Sequence, residues 1–174
     1  LIFIKDMKIY KNFLDQKEFE HIKNTICGEN FPWYRTPFLL QDKKGKDNIA
    51  SFFHMIYQYR LANSQFYNLL EPIIYKINPV SLIRIRLNLY TPQPKHKKTR
   101  FHEDVADAEN YHTAVLYITK NNGPTEFKDK KIMPEENTFV MFKCSEYHRA
   151  VTPTDKDKIL INFNFYPSTK GLSC

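Results

Sequence analysis

Two histidines and a carboxylate, His102, Asp104 and His148, have the types and the spacing to hold one metal ion. Of the six histidines, only His102 begins a His-x-Asp/Glu triplet, His102-Glu103-Asp104. On extended backbone, residues two apart share a face, so both ligands reach one ion while Glu103 turns to the other side. Glu103 is therefore not expected to act as a base. His148 follows 44 residues after Asp104, a length that lets an antiparallel sheet fold back and deliver a third ligand. Two imidazoles and a carboxylate on one face of an octahedron leave three positions open, an arrangement that suits non-haem Fe(II).

A keto-acid chelating such an ion needs a cation for its far carboxylate. Lys158 stands ten residues after His148, at the start of the last apolar run, where that cation would be wanted. With 26 Lys and Arg in 174 residues, a basic residue falls at a given position about one time in seven, so the competing reading is a solvated edge lysine beside Lys156.

These groups must be positioned by regular elements. Asp15-Gln16-Lys17-Glu18 has the form of a capping box, with Asp15 accepting from the Glu18 amide. Phe19, Ile22 and Ile26 then recur at helical spacing up to Gly28, predicting a helix over residues 16–27. Residues 41–48 are a loop. A second helix is expected after Asn63 or Ser64, with Phe66, Leu69, Leu70, Ile73, Ile74 and Ile77 as its stripe. Pro72 should kink or split it, and Asn78-Pro79 should end it.

From Leu82 the period changes to two: Arg84, Arg86, Asn88 and Tyr90 alternate with Ile83, Ile85, Leu87 and Leu89. Further strands are predicted at about 112–119, 124–128, 137–142, 147–151 and 158–165, with Asn121-Asn122-Gly123 as a hairpin turn. The expected fold is mainly β with buttressing helices, a double-stranded β-helix or jelly roll. The 174 residues read as a single domain, with helical N-terminal support over about 1–80 and a jelly-roll core over about 82–166.

Composition agrees with this reading. The 14 Phe and 11 Tyr suit half-buried pleated surfaces better than a helical bundle. No apolar run is long enough to span a membrane and no signal-peptide pattern is present. Cys27, Cys144 and Cys174 are few and unpatterned, which indicates a reducing compartment, so a cytoplasmic location is expected. The net charge of +7 permits an acidic partner, nucleic acid included, but lysine is spread along the whole chain.

The run from Asn88 to Phe165 resembles the Fe(II)/2-oxoglutarate-dependent dioxygenases, whose pattern is His-x-Asp, a distal His, then Arg or Lys about ten residues on. His148-Arg149-Ala150-Val151-Thr152-Pro153 followed by Lys158-Ile-Leu-Ile-Asn-Phe is similar to that family's closing motif. Small prolyl-4-hydroxylase-like members carried by phages are the nearest in character. The resemblance implies Fe(II), 2-oxoglutarate and O2 as cofactor and co-substrates, with His102, Asp104 and His148 on the metal and Lys158 on the distal carboxylate.

Tyr117, in Thr113-Ala-Val-Leu-Tyr117, maps to a tyrosine that touches that carboxylate in prolyl hydroxylases; its other reading is a plain core aromatic. Asn88 and Tyr90 resemble an Asn-x-Tyr pair that contacts 2-oxoglutarate in nucleic-acid dealkylases, and are otherwise structural strand residues. Gly123-Pro-Thr125-Glu-Phe127 is similar to the Gly-Gly-x-Thr-x-Phe of prolyl hydroxylases, except that Asn122 replaces the first Gly.

The implied activity is hydroxylation of a C–H bond on a small-molecule or peptide substrate, a peptidyl or free amino acid such as proline. The alternatives are a nucleic-acid base oxygenase or demethylase, and a cupin-like metal-binding protein without 2-oxoglutarate chemistry. Arg149 should point away from the metal. His54, His96 and His112 have no ligand spacing. The basic run 94–100 is either a solvated loop or a clamp on an acidic substrate.

Overall fold

The computed structural model describes residues 2–4, 7–36, 49, 51–105 and 110–168; the loop expected at 41–48 lies outside them. The period-two run forms β6 (Ser81–Tyr90), paired antiparallel along its length with β12 (Lys158–Tyr166). Along β12, Ile159, Ile161, Phe163 and Phe165 face one side, and Lys158, Leu160, Asn162 and Asn164 face the other. The first set joins the core beneath the helices; Leu160 of the second joins a separate core between the sheets.

Around this pair lie β1 (Ile2–Ile4), β2 (Met7–Tyr10), β3 (Tyr34–Thr36), β4 (Ser51–Gln58), β5 (Leu61–Ala62), β7 (His112–Tyr117) and β10 (Thr138–Lys143). Together they make one antiparallel sheet in the order β1-β2-β10-β7-β12-β6-β4-β3, with β5 paired to β4. A smaller antiparallel sheet has the order β11 (His148–Ala150), β8 (Thr125–Phe127), β9 (Lys131–Ile132). Residues 98–102 run beside β11 through bridges Lys98↔Val151 and His102↔His148. The two sheets enclose Val115, Tyr117, Phe127, Val140, Phe142 and Leu160, which is the jelly-roll arrangement.

Two helices back the outer face of the large sheet. In α1 (Gln16–Ile26), Phe19, Ile22 and Ile26 are buried against it; in α2 (Glu71–Ile77), Ile73 and Ile77 are. Asp15 caps α1, but its carboxylate accepts from the Lys17 amide at 2.9 Å, one residue earlier than the capping-box reading has it. Pro72 sits in the first turn of α2, where its missing N–H costs nothing, so the apolar stripe begins as a 3-10 turn (Asn68–Leu70) and becomes α-helical only there. Asn78 ends α2 in the left-handed conformation. No helix among the described residues is long and apolar enough to cross a membrane.

Two expectations need correction. Residues 1–80 are not only helical support: β2, β3 and β4 extend the large sheet at both edges, with Met7, Ile9 and Ile56 buried on segments that are either short (β2) or broken by a bulge between Met55 and Tyr57 (β4). Asn121-Asn122-Gly123 does not turn a hairpin either. β7 pairs with β10 and β12, whereas β8 pairs with β11 and β9, so this turn carries the chain from one sheet to the other. Asn121 Oδ1 accepts from the Gly123 amide at 3.0 Å, and Asn122 is tied to Thr154 and Asp155. A Cβ on Gly123 would lie 2.7 Å from both Pro153 N and Val151 O, so glycine serves close approach here rather than hairpin geometry.

Candidate metal centre and adjoining cavity

Strand pairing brings the three proposed ligands together. His102 and His148 exchange backbone hydrogen bonds across their bridge (2.9 and 3.1 Å), which sets the imidazoles side by side with centroids 4.7 Å apart. The Nδ1 atom of each ring faces a carbonyl, Arg100 O at 3.1 Å and Glu146 O at 2.9 Å. A carbonyl only accepts, so Nδ1 carries the proton and Nε2 is left to bind. Those Nε2 atoms lie 3.9 Å (His102) and 3.8 Å (His148) from the Asp104 carboxylate oxygens. Two donors at about 2.1 Å from one ion are at most about 4.2 Å apart, so both pairs are within bridging reach. Phe142 and Phe127 pack edgewise and tilted against His148 and hold its ring.

Asp104 is buried and heavily supported. Its Oδ2 accepts from Thr113 Oγ1 (2.8 Å), Asn162 Nδ2 (3.1 Å) and Asn164 Nδ2 (3.3 Å), while Arg84 Nη2 approaches Oδ1 at 3.4 Å. Burial alone would raise its pKa, but His148, Arg84 and the hydrogen bonds from Asn162 and Thr113 outweigh that and hold it below the usual carboxylate range. Burial, then the neighbouring His148, lowers the pKa of His102 and favours the neutral ring. An ionised carboxylate and two imidazoles that present Nε2 fit a first-row divalent ion.

A cavity of about 250 Å³ opens on these groups and continues past Asn88 to Tyr90 and Thr125. Larger clefts, of about 390 Å³ beside Tyr59 and about 940 Å³ beside Cys27, are more open and do not reach the histidines. Asn88 and Tyr90 line the cavity from the inward face of β6, and burial pushes the Tyr90 hydroxyl up to about 12. Lys158 and Tyr117 are fully buried and meet the wall residues instead. Lys158 Nζ donates to Pro124 O (3.0 Å) and Val151 O (3.3 Å) and lies 5.8 Å from the centre of the Tyr90 ring. The Tyr117 hydroxyl donates to Thr125 Oγ1 at 2.8 Å.

Glu103 also borders the cavity, because the 102–104 segment makes only an isolated bridge and leaves strict alternation after it. Arg149 is directed away from the metal, paired with Glu126 at 2.7 Å and stacked on Phe101. His54 is buried between Pro32 O and Ser64 Oγ, and His96 bonds Thr152 O; neither belongs to the centre. The 94–100 run is laced to Ala150 and Thr152 through Thr99 and Lys97, Gln93 just before it bonds Pro153 O, and Lys98 pairs with Glu126. The supports of Asp104 were not singled out from the sequence. Asn162 and Asn164 could have been: they are the polar alternates on the inward face of an otherwise apolar strand.

No protein-family model matches the sequence, and no curated protein does. Solved structures do match the fold. A 2OG-Fe(II) oxygenase family protein from Burkholderia pseudomallei superposes with TM-score 0.64 at 13% identity, over 95% of this chain and 89% of that one. The prolyl hydroxylase of Trichoplax adhaerens, solved with a hypoxia inducible factor peptide, gives 0.67 at 10% identity over 92% and 84%. The viral collagen prolyl hydroxylase of Paramecium Bursaria Chlorella virus-1, solved with 2OG, gives 0.53 at 17% identity over 95% and 97%. The chain thus has the jelly-roll fold found in 2OG-Fe(II) oxygenases and prolyl hydroxylases.

Proposed function

We propose that this chain is an Fe(II)- and 2-oxoglutarate-dependent oxygenase that hydroxylates a C–H bond of an amino acid, free or within a peptide. His102, Asp104 and His148 would hold the metal, and Lys158 would anchor the far carboxylate of 2-oxoglutarate. The observation that carries this reading is Lys158. Its ammonium is fully buried between the sheets and, among the described residues, has two carbonyl acceptors and no carboxylate. An ammonium has three hydrogens, so one is left for a ligand. A buried cation without a counter-ion is costly, and a ligand carboxylate relieves that cost.

When bound, the metal and 2-oxoglutarate supply, with dioxygen, the oxidant for C–H hydroxylation. The chain contributes placement. The Nδ1 bonds to Arg100 O and Glu146 O fix both imidazoles, and four donors fix Asp104. Asn88 and Tyr90 line the cavity that opens on the three ligands, Lys158 lies against the Tyr90 ring, and Tyr117 braces Thr125. Val115, Ala150 and Leu160 form the apolar part of an otherwise polar wall.

The test is calorimetric titration of 2-oxoglutarate into the Fe(II)-loaded protein without oxygen, followed by succinate release in air with candidate amino acids and peptides. Binding that requires both metal and Lys158 is expected. Metal binding with no affinity for 2-oxoglutarate would overturn the oxygenase reading and leave a simple metal-binding protein.

A further inference from the structure

Arg86 is a cation in the same cavity that the metal centre does not use. It lies on the inward face of β6, directly across from Asn162, the residue that donates to Asp104. Its neighbour Arg84 is spent on Asp104 and Asn164, and Arg149 on Glu126. Arg86 has no hydrogen-bond or ion-pair partner among the described residues. Its Nε is buried and unsatisfied, as is Asn162 Oδ1 opposite it. The guanidinium is held only by the face of Phe53, 4.7 Å from the ring centre. Burial is the main cause that lowers its pKa and Arg84 adds to it, while Tyr90 and Asp104 oppose the shift without cancelling it. Arg86 and Asn162 both line the cavity, and each keeps hydrogen-bonding capacity that no group among the described residues uses.

The position distinguishes this cation from Lys158. Lys158 is opposite Tyr90 at the far end of β6, whereas Arg86 shares its rung with Asn162, next to the metal ligands. Beyond Arg86 on the neighbouring strands come Phe53 of β4 and Tyr34 of β3, paired with each other, their rings 6.2 Å apart and Tyr34 55% exposed; both line an adjoining cleft of about 480 Å³. β3 and β4 contribute nothing to the core between the two sheets, so this side of the cavity is not capped by the smaller sheet.

We propose that Arg86 binds a carboxylate of the substrate, which enters over Tyr34 and Phe53 and places the C–H bond to be oxidised beside the metal ligands. The substrate class is then a carboxylate-bearing molecule of amino-acid size or an acidic peptide side chain, not a neutral internal peptide residue. Asn162 Oδ1 would accept from a donor on the same substrate, such as an amine. The planar fork of arginine suits bidentate capture of a carboxylate. This rests on the oxygenase reading above.

The experiment uses full-length protein loaded with redox-inert Zn(II) and saturated with 2-oxoglutarate. Free L-amino acids, their carboxamides, and short peptides with Glu or its Gln counterpart are titrated by calorimetry. The affinity for 2-oxoglutarate alone is measured separately, and the same series is run on Arg86→Gln and Arg86→Lys.

Expected is that at least one acid binds and its amide does not, and that Arg86→Gln weakens the acid by about tenfold or more, the scale of a lost charge-assisted bond. Arg86→Lys should recover part of that loss. Free acids binding alone assign a small-molecule substrate, and Glu peptides binding alone assign an acidic peptide. Acids and amides binding alike, no acid binding at all, or Arg86→Gln leaving the acid unaffected would each overturn the proposal. So would Arg86→Gln weakening 2-oxoglutarate itself, which would assign the arginine to the co-substrate and leave the oxygenase reading standing.

Discussion

Lys158 and Tyr90 stand directly opposite each other on β12 and β6, with the ammonium 5.8 Å from the ring centre and both side chains turned between the sheets. Tyr90 lines the cavity, and the Lys158 ammonium lies behind that wall, bonded to the carbonyls of Pro124 and Val151. The aromatic face supplies a favourable but uncharged neighbour, which leaves the charge itself to be met by a ligand.

Lys158→Ala should therefore weaken 2-oxoglutarate binding by about 3–5 kcal/mol, the range for breaking a buried ion pair. Metal affinity should be nearly unchanged, because Lys158 contacts none of the three ligands. Lys158→Arg should not restore binding, since the longer planar fork would collide with Pro124 and Val151. Parallel titrations of metal and 2-oxoglutarate separate these effects; loss of both together would show that Lys158 acts on the fold instead.

Burial lowers the Lys158 pKa from 10.5 to about 7. Above pH 7 the ligand-free lysine is largely neutral, and a bound carboxylate must restore its proton. Binding of 2-oxoglutarate should take up a proton and weaken as pH rises above 7, which calorimetry in buffers of different ionisation heat will detect. The sign for stability follows from the same shift. Between about pH 7 and 10.5 the unfolded chain holds the proton that the folded chain has lost, so stability of the ligand-free protein should rise through that window. Below pH 7 the penalty is complete. Lys158→Met should remove this slope; an unchanged slope would place its origin in another group.

Asn164 donates to Asp104 Oδ2 and to Thr113 Oγ1, and Thr113 donates to the same oxygen. Asn164→Leu should leave the three ligands in place but release the carboxylate from its orientation. Metal affinity should fall by about 10–100-fold, the usual effect of losing a group that orients a ligand. A competition titration against a chelator measures it, and wild-type affinity would mean that Thr113, Asn162 and Arg84 suffice without Asn164.

Gly123→Ala would drive a methyl group against backbone atoms of Pro153 and Val151 at 2.7 Å. Backbone on both sides cannot yield cheaply, so a loss of about 1–3 kcal/mol in denaturant unfolding is expected. Val151 O is also an acceptor for Lys158, so 2-oxoglutarate affinity should fall with it. A variant as stable as the parent would show that the loop shifts freely.

Much of this protein is local in origin and so was legible in the sequence. The period-two run into β6, the strand at β12, the helix from Gln16 and the His-x-Asp triplet each depend on neighbours a few residues apart, and alternation alone puts Asn88 and Tyr90 on one face. β3 has only three residues and β4, though eight long, has its alternation broken by a bulge between Met55 and Tyr57, so neither was legible. Asn121-Asn122-Gly123 has hairpin composition, yet the turn residues cannot specify which sheet the next strand joins.

Residue types and spacing determined which side chains could hold a metal and that a lysine would follow the distal histidine by ten positions. Only the tertiary structure decided that Asp104 takes donors from β6, β7 and β12, that Lys158 loses its solvent and meets no carboxylate, and that Arg86 faces the cavity unpaired while Arg84 does not. The reason is physical. Spacing along a strand sets the direction of a side chain, but its solvation and its partners are set by strands brought alongside from elsewhere in the chain.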